Sequence, residues 1–127
     1  MAVLYVVSEQ PGAGKTALCT TLAHELSRRG TQAAVFKPLT ASGQSEQDPD
    51  AAIYQRLLGQ PETVWPWPLP KSGLTRVLLD EIKATSDQLL DDNDLLLVEG
   101  SSVVSKNASR RLTETLDAPV VVVVTYQ

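Results

Sequence analysis

The sequence predicts an α/β domain in which a mainly parallel sheet lies between layers of helix. Three observations carry this. Four short apolar runs occur at 2–7, 31–36, 95–98 and 120–124, as expected of strands covered on both faces. Helical patterns separate them, so successive runs are joined by crossovers rather than hairpins. The first run passes into the first helix through a tight glycine-containing turn, Ser8-Glu9-Gln10-Pro11-Gly12-Ala13-Gly14-Lys15-Thr16.

That turn is the feature that carries chemistry. A strand, tight turn and helix can aim successive backbone N–H groups at a phosphate, and the helix N-terminus adds its positive end. The expected anion-binding stretch is Gly12, Ala13, Gly14, Lys15, Thr16 and Ala17. In a loop of this kind Lys15 reaches the β/γ-phosphates and Thr16 offers its hydroxyl to Mg²⁺. The usual pattern is Gly, four residues, then Gly-Lys-Thr; here Glu9 stands at the first glycine position. A negative charge beside phosphates costs affinity unless it is paired or points away. Thr16 has a second reading as a helix cap with no metal role.

The remaining elements follow in order. A helix is expected over 15–29, with Leu18, Leu22 and Leu26 on one face beside Cys19 and Ala23. Arg28 and Arg29 suit its C-terminal end and Gly30 its cap. Lys37-Pro38 follows the second strand, where Pro38 ends the ladder. Residues 39–49 read as a polar loop ending in Asp48-Pro49-Asp50. Open parallel sheets bind ligands beyond the carboxyl ends of their strands, so Lys37 and these aspartates fall where a ligand belongs. Capping of the next helix, 51–58, is the other reading of Asp50. That helix pairs Ile53 with Leu57 and Tyr54 with Leu58.

Residues 61–70 hold four prolines with Trp65 and Trp67 between them, which excludes a central strand or a helix interior. The indoles are expected to pack over the sheet edge. A helix over 74–90 has apolar positions at 74, 77, 78, 82 and 89, with a candidate break at Thr85-Ser86. The third strand ends in Glu99-Gly100, a carboxylate placed as a second Mg²⁺-site element would be; a solvent-facing Glu99 is the alternative. Gly100 favours a close backbone approach. A helix over 107–116 with Ala108, Leu112 and Leu116 on one face leads to the last strand, expected to be buried.

Composition narrows the functional classes. One domain is the expectation for 127 residues. The net charge of -4, from 11 basic and 15 acidic residues, argues against a nucleic-acid partner. Cys19 is the single cysteine, so no internal disulfide is possible, and it is expected in the core. His24, the single histidine, is expected to be a surface or packing residue. No signal-peptide pattern and no apolar run of membrane-spanning length occur, so a cytoplasmic location without a membrane partner is expected.

Taken together, Ser8 to Thr16, Phe36-Lys37-Pro38, Asp48-Pro49-Asp50 with the following helix, and Val98-Glu99-Gly100 resemble the dethiobiotin synthetase-like branch of the P-loop NTPases. The nearest group resembled is the dethiobiotin-synthetase-like N-terminal domain of phosphotransacetylase and related regulatory proteins. The resemblance spans about the first 125 residues. It implies a three-layer P-loop NTPase-like domain over 1–127, here apparently truncated after the fourth strand. It implies ATP and Mg²⁺ as cofactors, with Lys15 and Lys37 as catalytic residues and Thr16, Asp50 and Glu99 as Mg²⁺-associated ones. In the synthetase the reaction carboxylates a diamine, activates the carbamate with ATP and closes a cyclic urea. A small carboxylate or amine substrate is the corresponding expectation. Leu39-Thr40-Ala41-Ser42-Gly43 echoes the synthetase's substrate loop with one residue extra, which weakens transfer of the substrate itself. Two other readings stay open: a nucleotide-sensing regulatory module of a larger phosphotransacetylase-like protein, and a catalytically inactive scaffold. The all-valine last strand is expected either as a raw edge, which is a liability if left bare, or as the middle of a sheet completed elsewhere. A further C-terminal domain, or a second copy in a homo-oligomer, is expected to cover it.

Overall fold

The computed structural model describes residues 2–8, 14–40, 49–58, 66–100 and 105–124. The order of elements is β1 (Ala2–Ser8), α1 (Lys15–Arg28), β2 (Ala33–Phe36), β3 (Leu39–Thr40), α2 (Pro49–Leu58), β4 (Trp67–Pro68), α3 (Arg76–Asp91), β5 (Leu95–Glu99), α4 (Lys106–Leu116) and β6 (Val120–Val123). Four of the strands form a parallel sheet in the order β2-β5-β1-β6. The register sets Val6 beside Glu99 on one side of β1, and Val121 beside it on the other. The chain is thus an α/β domain with a parallel four-stranded sheet, as its apolar runs imply.

Alternation along the strands divides the interior into two cores. Tyr5, Ala34, Phe36, Leu96 and Val98 face α3 and α4, meeting Leu78, Leu79, Ile82, Leu112 and Leu116. Val6, Val35 and Leu97 face the opposite way, toward Cys19 and Ala23 of α1 and Tyr54 of α2. The result is three layers, with α1 and α2 on one side of the sheet and α3 and α4 on the other. Truncating a fully buried side chain such as Ile82 or Leu112 to Ala costs about 2–5 kcal/mol.

Several expectations are revised. In α1 the buried line is Lys15, Cys19 and Ala23, while Leu18 and Leu22 stay 39% and 37% exposed. These buried residues are spaced by four and share a face. Because Lys15 is turned toward β1, Cys19 and Ala23 follow it onto the sheet and the leucines rotate outward. In α3 Val77 is exposed and Leu79 buried, and no break occurs at Ser86: its buried hydroxyl donates to the Ile82 carbonyl at 2.9 Å. β6 is not buried. Of the two readings of this strand the structure has the edge: among the described residues it pairs with β1 alone, and Val120 and Val122 are 50% and 51% exposed.

The expected loop at 39–49 contains β3, which pairs in parallel with β4 in a separate two-stranded sheet. Trp67 N–H donates to the Pro38 carbonyl and Leu69 N–H to that of Thr40, at 2.8 and 3.0 Å. The intervening Pro68 occupies the position whose missing donor the ladder does not need. Trp67 meets Phe36 edge to face, with centroids 6.2 Å apart, which is the packing role expected of it. Trp65 lies outside the described residues, as does Glu9.

The caps are local and follow from sequence. Thr75 and Ser105 cap α3 and α4 by accepting from Leu78 N–H and Ala108 N–H. At the end of α1, Gly30 has φ 92°; its N–H reaches the Ser27 carbonyl and the Thr31 N–H that of Leu26. This left-handed stop is one that glycine adopts without steric cost.

Candidate functional site

The site lies beyond the carboxyl ends of β1, β2 and β5. β1 continues into α1 on one face of the sheet and β5 leads to α4 on the other, so the crevice between these neighbouring strands is a topological switch point. Ligands in open α/β sheets bind at such points.

Four elements bring side chains to it. Gly14, with φ 92°, is the N-cap of α1, and no side chain caps the first turn. Gly14 therefore supplies no side-chain oxygen to compete for the first-turn N–H groups. Thr16 is not the cap, since the helix begins before it. Its hydroxyl instead donates to Glu99 Oε1 at 2.7 Å. Lys15 is 9% exposed and its Nζ donates to Ser8 Oγ, at the end of β1, at 2.9 Å.

Glu99 closes β5 and is 3% exposed, so the solvent-facing alternative is excluded. Its other oxygen, Oε2, accepts from the Tyr54 hydroxyl. Burial pushes the Glu99 carboxyl up to about 7; the Thr16 hydrogen bond and the charges of Lys37 and Lys15 oppose this, and Asp50 adds to it. Burial likewise raises the Cys19 thiol to about 12, with the nearby Glu99 charge reinforcing it, so Cys19 is an inert core residue. Lys37 follows β2 and its Nζ lies 2.8 Å from Asp50 Oδ2. Asp50 is in the first turn of α2, which starts at Pro49, so Asp50 is inside the helix and not at its cap.

The structure thus brings Lys15, Thr16, Lys37, Asp50 and Glu99 into one crevice. Gly12 and Ala13 lie outside the described residues, and Ala17 is an exposed residue of α1. Gly100 does make a close approach, but to the protein itself: its N–H donates to the Val6 carbonyl, and a Cβ there would lie 2.9 Å from the Tyr5 hydroxyl. Two participants escape sequence reading. Ser8 is the first residue of the turn and receives Lys15. Tyr54 stands one helical turn after Asp50, a spacing that places both on the same face of α2 and was legible in principle.

Two carboxylates and a hydroxyl are hard oxygen donors of the type Mg²⁺ takes. Lys37 stands against Asp50, and burial opposes ionisation of Glu99. Among the described residues no group of three or more His, Cys, Asp or Glu could hold a metal ion by itself. Mg²⁺ does not require one, since it is usually held by one or two carboxylates together with substrate phosphates and water.

Fold and site define a P-loop NTPase domain related to dethiobiotin synthetases and phosphotransacetylases. A family described as an AAA domain matches residues 2–127, and the chain belongs to that family. It is 28% identical over 133 residues to a phosphate acetyltransferase of Haemophilus influenzae, covering 94% of this chain and 19% of that protein. It is 30% identical over 141 residues to the ATP-dependent dethiobiotin synthetase BioD of Rhodococcus erythropolis, covering 98% of this chain and 62% of that protein. The chain therefore spans less than two thirds of either relative. Among the described residues no helix is long and apolar enough to cross a membrane.

Proposed function

We propose that residues 1–127 are the N-terminal part of a Mg²⁺-dependent ATP-binding domain of the dethiobiotin synthetase-like type, serving ligase or phosphoryl-transfer chemistry. One observation carries this reading: Lys15, Thr16, Lys37, Asp50 and Glu99 converge at the carboxyl ends of β1, β2 and β5. The N–H groups at the N-terminus of α1 cradle the phosphates, and the ammonium groups of Lys15 and Lys37 offset charge that develops on the transferred phosphoryl group. Thr16, Asp50 and Glu99 hold or orient Mg²⁺ and its waters. The bound cation supplies charge neutralisation on the phosphates. Before the nucleotide arrives, Ser8 holds the Lys15 ammonium and Asp50 holds that of Lys37, so both cations are retained in the crevice. The name of the Rhodococcus relative, an ATP-dependent dethiobiotin synthetase, supports ATP as the nucleotide.

A second reading is that the domain senses nucleotide within a larger phosphotransacetylase-like protein. The similarity to the Haemophilus enzyme, confined to 19% of its length, favours this version. The exposed valines of β6 support a further domain or a second copy beside that edge. Both readings require ATP binding. Isothermal titration of the chain with ATP should give a binding isotherm that tightens when Mg²⁺ is present. No heat under either condition, with the fold intact by circular dichroism, would leave only an inactive scaffold.

A further inference from the structure

We propose that Tyr54 is a positioning residue for the cation site, holding Glu99 so that its Oε1 faces Thr16. The assignment rests on the reading of Thr16, Asp50 and Glu99 as the cation-binding set and extends it to a residue that the sequence marked only as a packing partner of Leu58.

The geometry is specific. Glu99 has two carboxylate oxygens, and each meets a different hydroxyl: Oε1 accepts from Thr16 at 2.7 Å, and Oε2 accepts from Tyr54. A carboxylate on a flexible side chain can rotate about its terminal bond. Two donors on opposite oxygens remove that freedom. Thr16 belongs to the loop-and-helix unit that receives phosphate, so the oxygen it contacts is the one directed at the ligand. Tyr54 is buried, 2% exposed, in the core cluster that holds Val6, Val35, Leu97, Cys19 and Ala23. Its ring is fixed by packing, so its hydroxyl is a rigid support. Hydrogen bonds of this kind to metal-binding side chains typically contribute 10–100-fold to metal affinity.

The position of Tyr54 in α2 adds a second link. Asp50 precedes it by four residues on the same helical face, and Asp50 is bound by Lys37. One short helix therefore presents a candidate cation ligand from its first turn and the support of a second ligand from the next turn. The orientation of α2 sets both carboxylates together.

Tyr54→Phe keeps the ring and removes the hydroxyl. The test is isothermal titration of the full chain, wild type and Y54F, with ATP alone and with ATP plus Mg²⁺. Wild type is expected to gain affinity from Mg²⁺, and Y54F to lose roughly tenfold of that gain while binding ATP alone as wild type does. An equal Mg²⁺ gain in both proteins overturns the role of Tyr54 and leaves the site reading standing. Equal weakening with and without Mg²⁺ also overturns it, because that is a packing defect. No Mg²⁺ gain in wild type overturns the site reading and the Tyr54 role with it. A second measurement does not depend on the variant binding ATP. Wild type labelled with ¹³C at the tyrosine ring ζ-carbon carries three labelled positions, Tyr5, Tyr54 and Tyr126. The Tyr54 resonance, identified by its loss in Y54F, is expected to shift when Mg²⁺ is added to the ATP complex while that of Tyr5 stays. An unmoved Tyr54 resonance contradicts the proposal.

Discussion

Replacing Glu99 by glutamine removes a carboxyl whose ionisation is opposed by burial. In the folded chain this group titrates near 7 instead of 4.5, chiefly because its carboxylate is withdrawn from water. The folded state therefore holds the proton more tightly than the unfolded state does. Below about pH 4.5 both states are protonated and the group favours neither. Between about pH 4.5 and 7 the unfolded chain ionises first, so stability falls as pH rises; above about 7 the loss levels off. Each pH unit of the gap is worth about 1.4 kcal/mol, so the full loss is about 3 kcal/mol. The substituted glutamine cannot ionise, yet its side-chain carbonyl still accepts from Thr16. Urea unfolding, followed by tryptophan fluorescence at about pH 5 and about pH 7.5, measures the effect. Over that interval, which captures most but not all of the gap, wild type should lose about 2 kcal/mol more than E99Q in metal-free buffer. Comparing the two proteins removes the contribution of the other carboxyls. Parallel losses would refute the reasoning, since Glu99 would then already be ionised at neutral pH.

Other substitutions probe separate links. Gly100→Ala drives a Cβ to 2.9 Å from the Tyr5 hydroxyl and 3.0 Å from Val7 Cγ1, and the crowding should cost about 1–3 kcal/mol in urea unfolding. Thr75→Ala removes the acceptor for Leu78 N–H and should cost about 1 kcal/mol by the same assay. Val122→Lys places a charge on the exposed edge strand; stability should change by less than about 0.5 kcal/mol, and concentration-dependent association in sedimentation velocity should fall. Lys15→Ala should abolish detectable ATP binding by calorimetry with the circular dichroism spectrum unchanged, the expected effect of removing a phosphate-facing ammonium.

Much of the fold was legible because a buried parallel strand is written as a continuous apolar run, as 2–7 and 95–98 are; 31–36 opens on polar Thr31 and Gln32, and its strand is Ala33–Phe36. The proximity of Lys37, Asp50 and Glu99 was legible for a related reason: each lies at or shortly after a strand's carboxyl end, where open sheets gather their ligands. Strand order was not legible. Val120 to Val123 read equally as a raw edge or as the middle of a sheet, and their pairing with β1 alone among the described residues decides for the edge. Nor was the rotation of α1 legible, because leucines spaced by four outweigh Cys19 and Ala23 in hydropathy. Lys15, a polar residue, sets the buried face. Pairing of β3 with β4 joins residues far apart in sequence, and neither run is long enough to show a period. Tyr54 was read as the apolar partner of Leu58. Periodicity records its buried ring and says nothing about its hydroxyl.

A crystal structure of the chain with Mg²⁺ and a non-hydrolysable ATP analogue tests the central claim most directly. The account predicts the triphosphate at the N-terminus of α1 with the Lys15 ammonium upon it. It also predicts a cation bounded by Thr16, Asp50 and Glu99, with Tyr54 still on the far oxygen of Glu99. A nucleotide bound elsewhere, or one bound at α1 with these three residues directed away from the cation, would contradict it.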